Sequence, residues 1–102
     1  MNKEIKTINI PELVKLKTGL FFKVLQVTGR AGLEMPIHYS TQEAVVIVQE
    51  GSALLKIDNK EHLLQAGSSF IIPSGQHHSL QLKQDFKALV IMSEKSNIEF
   101  VN

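Results

Sequence analysis

The chain is 102 residues long, which is enough for one domain with one hydrophobic core but small for a protein that folds alone. Its 11 Lys and Arg residues nearly balance 10 Asp and Glu residues, and the charges are scattered, so neither a nucleic-acid partner nor a membrane surface is indicated. The absence of cysteine excludes disulfides and thiolate chemistry. No stretch has the pattern of a signal peptide or a membrane span, so we expect a cytoplasmic protein.

Short apolar runs alternate with turn residues along the chain, which is typical of an all-β sandwich or barrel. A short helical turn is predicted over residues 11–17, because Pro11 suits the first position of a helix. We predict a single domain over residues 1–102, with residues 1–18 forming an N-terminal strand and short arm that packs on the barrel or on a partner subunit. The predicted strands cover residues 5–10, 19–27, 33–40, 44–48, 53–57, 62–65, 70–72, 77–82 and 86–92.

Several of these strands are apolar on both faces. Every residue of 44–48 is apolar, and the runs 19–27 and 86–92 carry apolar residues of both parities. An antiparallel sheet with one face in water alternates apolar and polar residues, so the second apolar face needs a cover. We expect the cover to be a second copy of the chain, which predicts a homodimer. The alternative is that the N-terminal segment folds over this face within one chain.

Two segments resemble motifs of a known family. Residues 32–51 read GLEMPIHYSTQEAVVIVQEG, and residues 67–82 read GSSFIIPSGQHHSLQL. They resemble the two signature motifs of the cupin superfamily and together cover about a third of the chain. The resemblance implies a small single-domain cupin, whose fold is a double-stranded β-helix or jelly-roll barrel. The residues that stand at the family spacing are Gly32, His38, Gly67, Pro73, Gly75 and His78.

The resemblance also implies a metal site with four ligands, of which the first motif supplies two histidines and a glutamate and the second motif one histidine. His38 and His78 occupy the first and last of these positions. Ser40 stands where the family has its second histidine, and Ala44 stands at the glutamate position, one residue after Glu43. A one-residue offset in a regular strand turns a side chain to the opposite face, so Glu43 is predicted to point away from the site unless a bulge intervenes.

Side-chain parity gives an independent test of the second-motif histidine. His78 shares its face with Leu80 and Leu82, so it is predicted to point into the barrel. The adjacent His77 is predicted to point out for the same reason.

For the first-motif histidine, side-chain parity and the family resemblance assign opposite faces. His38 shares a face with Ser40, and by hydropathy this is the more polar, outer side of the strand. The resemblance reverses the assignment, so that His38 and Ser40 face the pocket. A covered outer surface is then predicted for the residues on the other face, Met35, Ile37 and Tyr39.

These assignments predict a ligand-binding pocket inside the barrel. One interpretation is a divalent transition metal (Zn, Fe, Ni, Cu or Mn) bound by His38 and His78 and completed by water or a ligand. The other is a pair of hydrogen-bonded histidines in a pocket that has no metal. His62 is a remote third candidate ligand, because it shares parity with Leu64, which is predicted to lie in the core. The predicted pocket residues are His38, Ser40, Val46, Phe70, Ile72, His78 and Leu80.

Two functions remain open at this point. The first is a binding module that holds a small polar ligand in the pocket, with or without a weakly coordinated divalent metal. The second is a metal-dependent enzyme of the oxygenase or isomerase type found among cupins. The missing glutamate counts against the enzyme, because non-haem iron oxygen chemistry relies on two histidines and a carboxylate. The sequence therefore favours the binding module and assigns no catalytic residue.

Overall fold

The computed structural model describes residues 10–101, and within this range the chain forms ten strands and no helix. This part of the chain therefore has no helix long and apolar enough to cross a membrane. The strands are β1 (Glu12–Thr18), β2 (Phe22–Gly29), β3 (Glu34–Ser40), β4 (Ala44–Glu50), β5 (Ser52–Ile57), β6 (Lys60–Gln65), β7 (Ser69–Ile72), β8 (His78–Leu82), β9 (Phe86–Ser93) and β10 (Ile98–Phe100).

The strands form two five-stranded antiparallel sheets. The strand order is β1-β2-β9-β4-β7 in the first sheet and β10-β3-β8-β5-β6 in the second. Along β9 every second residue from Phe86 to Met92 is buried, which is the period of two expected for a strand with one face on the core. Buried side chains of both sheets join in one hydrophobic cluster. The predicted all-β jelly roll is therefore confirmed.

Two elements differ from the sequence-based prediction. Residues 12–17, predicted as part of a helical turn, lie in β1, which pairs antiparallel with β2 at the edge of the first sheet. Pro11 immediately precedes this edge strand, where the missing N–H costs no ladder hydrogen bond. The sequence pattern predicts no strand at the position of β10, which pairs with β3 at the edge of the second sheet. The predicted strand over residues 5–10 and the first half of the N-terminal arm fall outside the described residues, except for Ile10.

The connection from β9 to β10 crosses between the sheets and is fixed by the fully buried Ser96. The Ser96 hydroxyl accepts a hydrogen bond from the Gln42 backbone N–H at 3.2 Å. The Ser96 backbone carbonyl accepts a second hydrogen bond, from Lys23 Nζ, at 2.6 Å. The Thr41 hydroxyl accepts a further bond from the Asn97 N–H at 2.9 Å. These bonds tie the β3–β4 and β9–β10 connections together, and so deliver β10 to the edge beside β3.

The tight turn between β4 and β5 requires glycine at position 51. Gly51 has a φ of 80°, in the left-handed region that favours glycine. A Cβ at this position would also overlap the carbonyl oxygen of Asp85 in the β8–β9 connection. Gly67 has a similar φ of 91°, but a Cβ there would meet no atom within 4 Å. Alanine at position 67 would therefore add backbone strain alone, whereas alanine at position 51 would add both backbone strain and steric overlap.

We expect Gly51→Ala to destabilise the protein more than Gly67→Ala. Forcing alanine into the left-handed region costs about 1–2 kcal/mol, which is the whole cost expected at Gly67. At Gly51 the overlap with Asp85 also has to be relieved, so we expect about 3 kcal/mol or more. Denaturant unfolding of the two variants measures both values. Equal losses would contradict the steric part of the argument.

Candidate functional site

An irregularity in β3 places the site. Met35 stands opposite Leu80 and His38 stands opposite His78, so three steps along β3 match two steps along β8. This shift is a β-bulge, and it contains Pro36, which has no N–H to donate to the ladder. A bulge reverses side-chain parity. Met35 and His38 therefore both line the interior, although they are three positions apart.

The bulge corrects one prediction of the sequence analysis. Met35 was expected on the outer surface, but it is buried and lines the same cavity as His38. Parity counted along a regular strand assigns the wrong face to residues on the N-terminal side of a bulge. Beyond the bulge the outward assignment agrees with the structure, because Ile37 is exposed and the Tyr39 ring stacks on exposed His77 at 5.1 Å.

Cross-strand register brings three rings together at the cavity. Phe100 of β10 pairs with His38 of β3, which in turn pairs with His78 of β8. The two imidazole centroids are 4.2 Å apart with an angle of 60° between the planes, and the Phe100 ring centroid lies 5.3 Å from that of His38. Directly opposed residues of neighbouring strands are expected at such distances.

Each imidazole is held by a backbone carbonyl two residues earlier in the chain. His38 Nδ1 lies 2.6 Å from the Pro36 oxygen, and His78 Nδ1 lies 2.9 Å from the Gln76 oxygen. A carbonyl oxygen only accepts hydrogen bonds, so both Nδ1 atoms carry the proton. In the neutral ring this leaves the lone pair on Nε2. Bonds of this kind fix the orientation and tautomer of functional histidines.

Burial keeps both imidazoles neutral at neutral pH. Burial lowers the pKa of His38 from 6.5 to about 4; the bond to Pro36 opposes this change and the neighbouring His78 adds to it. Burial also lowers the pKa of His78, with the bond to Gln76 opposing the change and His77 adding to it. The two Nε2 atoms are therefore hydrogen-bond acceptors or metal ligands, and the site carries no positive charge of its own.

The two histidines line a cavity of about 60 Å³ between the sheets, whose remaining walls are mostly apolar. The sequence analysis did not find the contributions of Leu13, Ile98 and Phe100, because it assigned no strand to either edge segment. Alternation over three residues, as in Ile98-Glu99-Phe100, is the signal that was available. The predicted pocket residues that do line the cavity are His38, Ser40, Val46, Ile72, His78 and Leu80.

Ser40 is the third polar group at the cavity. It is only 4% exposed, and it lies two residues after His38 on the same face of β3. Among residues 10–101, the side-chain hydrogen bonds do not include the Ser40 hydroxyl. A buried hydroxyl that is left without a partner costs about 1–3 kcal/mol. The cavity therefore offers a bound molecule a hydrogen bond that the described residues do not make.

Phe70 and His62 lie away from this cavity, contrary to the predicted pocket wall and the remote three-histidine site. Their rings contact each other at 5.0 Å, on edge strands β7 and β6 of opposite sheets. His62 stands opposite Leu55, two strands from β8 and one row away from His78. Side-chain parity correctly indicated that His62 and Phe70 face the inside of the barrel. Parity does not indicate how far across the sheet a residue lies from the cavity.

The described residues offer no third metal ligand beside the two histidines. Within residues 10–101, no group of three His, Cys, Asp or Glu side chains is placed to hold a metal ion. Glu43 is exposed in the β3–β4 connection, while Ala44 lines the cavity. The donor set at the cavity therefore consists of two imidazole nitrogens and one hydroxyl.

Comparison with known proteins identifies the family. Residues 26–93, about two thirds of the chain, match the sequence profile described as Cupin domain. The fold, the two motifs and this match agree, and the chain belongs to the cupin family. No curated protein matches it at a significant level.

Many solved structures share the fold. An uncharacterised conserved protein with a double-stranded β-helix domain from Klebsiella pneumoniae is 17% identical, with a TM-score of 0.79 over 91% of this chain and 85% of that chain. The DMSP lyase DddQ from Ruegeria pomeroyi is 18% identical, with a TM-score of 0.83 over 99% of this chain and 55% of that chain. A salicylate 1,2-dioxygenase from Pseudaminobacter salicylatoxidans is 19% identical, with a TM-score of 0.76 over 87% and 30%. At these identities the likeness shows the fold alone.

The lowered pKa values predict a stability that falls on mild acidification. Below the unfolded-state pKa of 6.5, the unfolded chain binds protons that the folded His38 and His78 do not, so the free energy of unfolding decreases as pH falls toward the folded pKa of His38 near 4. We expect a loss of the order of 1–2 kcal/mol between about pH 7 and pH 5, measured by denaturant unfolding.

Two variants control this experiment. His38→Gln removes one of the buried imidazoles and should flatten the pH dependence over the same interval. His62→Gln, which changes a histidine outside the cavity, should leave it in place. Equal stability of the parent protein at the two pH values would contradict the neutral buried pair.

Proposed function

We propose that the protein is a binding module that holds a small polar ligand in the cavity between its sheets. The observation that carries the proposal is the combination, in an otherwise apolar cavity, of two neutral imidazole Nε2 acceptors and the buried Ser40 hydroxyl. An apolar pocket with a few placed polar groups is typical of small-molecule sites. The complementary ligand carries at least one hydrogen-bond donor for Nε2 of His38 or His78, together with a polar group for Ser40.

The metal implied by the family fits the same two histidines only as a weakly held ion. His38 and His78 would hold it through Nε2, and their Nδ1 bonds to backbone carbonyls are the arrangement typical of metal-binding histidines. Catalytic zinc sites use three protein ligands, and no third one joins this pair among residues 10–101. A bound divalent ion would supply a positive charge that attracts an oxygen or nitrogen atom of the ligand.

The donor set does not favour a metal-dependent reaction of this chain. Two of the similar structures are enzymes, a DMSP lyase and a salicylate dioxygenase. Oxygen chemistry at non-haem iron relies on two histidines and a carboxylate, and Ala44 occupies the position at which the family has its glutamate. Exposed Glu43 does not replace that carboxylate. The proposal therefore assigns binding to the site and derives no catalytic step.

Replacing the histidines is expected to reduce binding with little loss of stability. For His38→Ala and His78→Ala we expect a loss under about 1 kcal/mol at neutral pH, because water can take the place of an imidazole beside a polar cavity. Val46→Ala is the matched control: it truncates an apolar residue of the same cavity and should cost about 1–4 kcal/mol. Denaturant unfolding measures the stability of all three variants.

Binding is measured on the same proteins, purified without chelators and without a histidine tag. Native mass spectrometry and elemental analysis detect a co-purified small molecule or metal, and calorimetric titration with Ni²⁺ probes the imidazole pair directly. Bound material and Ni²⁺ affinity should fall in both histidine variants, whereas Ni²⁺ affinity should persist in Val46→Ala, which keeps both imidazoles. Histidine variants that bind as the parent does, and lose as much stability as Val46→Ala, would show that the two imidazoles are structural.

We further propose that a second copy of the chain covers the outer face of the first sheet. In this sheet the registers align half-buried or exposed apolar residues across neighbouring strands. A twofold interface is self-complementary, and an apolar patch at the centre of a sheet face meets this condition. The charged residues Lys17 and Lys87 lie at the margins of the patch. Contiguous apolar patches on the surface of soluble proteins mark interaction sites. The aligned residues are Val24, Ile91, Val45 and Ile71 in one row, with Leu89 and Ile47 in the next.

Sedimentation at micromolar concentration is expected to give about twice the monomer mass. Ile91→Lys places a charge at the centre of the apolar face and should shift the mass to that of a monomer. Leu63→Lys places the same charge at an exposed leucine of the second sheet and should leave the dimer intact. A parent protein that sediments as a monomer would contradict the proposal.

A further inference from the structure

The cavity is smaller than the ligands that such sites usually hold. Its volume of about 60 Å³ is enough for a few water molecules. Small-molecule pockets typically measure about 300–1,000 Å³. A ligand that reaches His38 and His78 must therefore be very small, or part of the cavity wall must yield when it enters.

Phe100 stands at the boundary between the cavity and solvent. Among the described residues that line the cavity, Phe100 alone is exposed, at 49%, and the others are buried or half-buried. Its ring centroid lies 5.3 Å from that of His38, with 42° between the planes. The Phe100 ring thus lies beside the first imidazole at the exposed margin of the cavity lining.

The strand that carries Phe100 is the most weakly held wall of the cavity. β10 has only three residues and, within residues 10–101, lies at the edge of its sheet and pairs with β3 alone. The other edge strands that contribute to the lining are longer, and their lining residues Ile72, Leu64 and Leu13 are buried or half-buried. Short edge elements with exposed side chains open at low free energy. Displacing β10 or turning the Phe100 ring would enlarge the cavity without disturbing the core strands.

We infer that Phe100 determines access to the cavity and the size of ligand that it admits. The inference rests on the proposed binding function, because it assigns Phe100 as the specificity-determining residue of that same cavity. A smaller residue at position 100 opens a route to His38 Nε2, and a larger one narrows it. The ligand selected by the native ring is a compact polar molecule that fits beside one aromatic edge.

Chemical modification of His38 tests access without knowledge of the natural ligand. The probe is diethyl pyrocarbonate, which acylates neutral imidazole nitrogen, with the rate at each histidine read by peptide mass spectrometry. Exposed His77 in the same chain serves as the internal reference for reagent activity. In Phe100→Ala the rate at His38 relative to His77 should rise several-fold, and in Phe100→Trp it should fall below that of the parent.

Phe21→Ala removes an exposed aromatic ring immediately before β2 and is the matched control, expected to leave the His38 rate unchanged. An unchanged rate in Phe100→Ala, or an equal rise in Phe21→Ala, would overturn the inference. If Phe100→Ala also lowers stability, the Phe100→Trp variant decides, since loosening of the fold cannot slow the reaction. Native mass spectrometry and Ni²⁺ titration in parallel test the proposed function separately: absence of both a co-purified molecule and Ni²⁺ binding, in the parent and in Phe100→Ala, rejects the binding role, whatever the modification rates show.

Discussion

The register between β3 and β8 is the constraint on which the site depends. The bulge at Pro36 turns Met35 and His38 to the same face, sets His38 directly opposite His78, and supplies the carbonyl that holds the His38 ring. In a regular strand, residues three positions apart lie on opposite faces, so only one of Met35 and His38 would face the cavity. β10 pairs with the same strand, and the position of Phe100 over His38 therefore follows from it as well.

The cavity contains polar groups but no fixed charge. His38 and His78 lie too close together for both to be charged in a buried setting, and burial lowers the pKa of each. Nδ1 of each ring donates a hydrogen bond to the backbone carbonyl two residues earlier, which leaves Nε2 as the available acceptor. With the Ser40 hydroxyl, the cavity presents a fixed pattern of hydrogen-bonding groups against apolar walls. Under the proposed binding function, such a pattern would select a ligand by its donors and its size.

Local patterns in the sequence predicted most of the strands, because short apolar runs between turn residues mark them. Alternation over residues 77–82 predicted the inward orientation of His78. The structure departs from the prediction where long-range pairing decides. Residues 12–17 form β1 because β2 offers them a partner, and three-residue β10 is a strand only because β3 lies beside it. Met35 was assigned to the wrong face because parity does not register a bulge. His62 and Phe70 were assigned to the right face, but their distance from the cavity depends on strand order, which alternation does not contain.

The central claim is that His38 and His78 are both neutral at neutral pH, with the proton on Nδ1 and with Nε2 available to the cavity. Long-range ¹H–¹⁵N correlation spectra report the charge and tautomer of each histidine, and His38→Ala and His78→Ala assign the two signals. The structure predicts the neutral Nδ1–H form for both rings at neutral pH. Two rings that carry the proton on Nε2, or that are doubly protonated at this pH, would contradict the account.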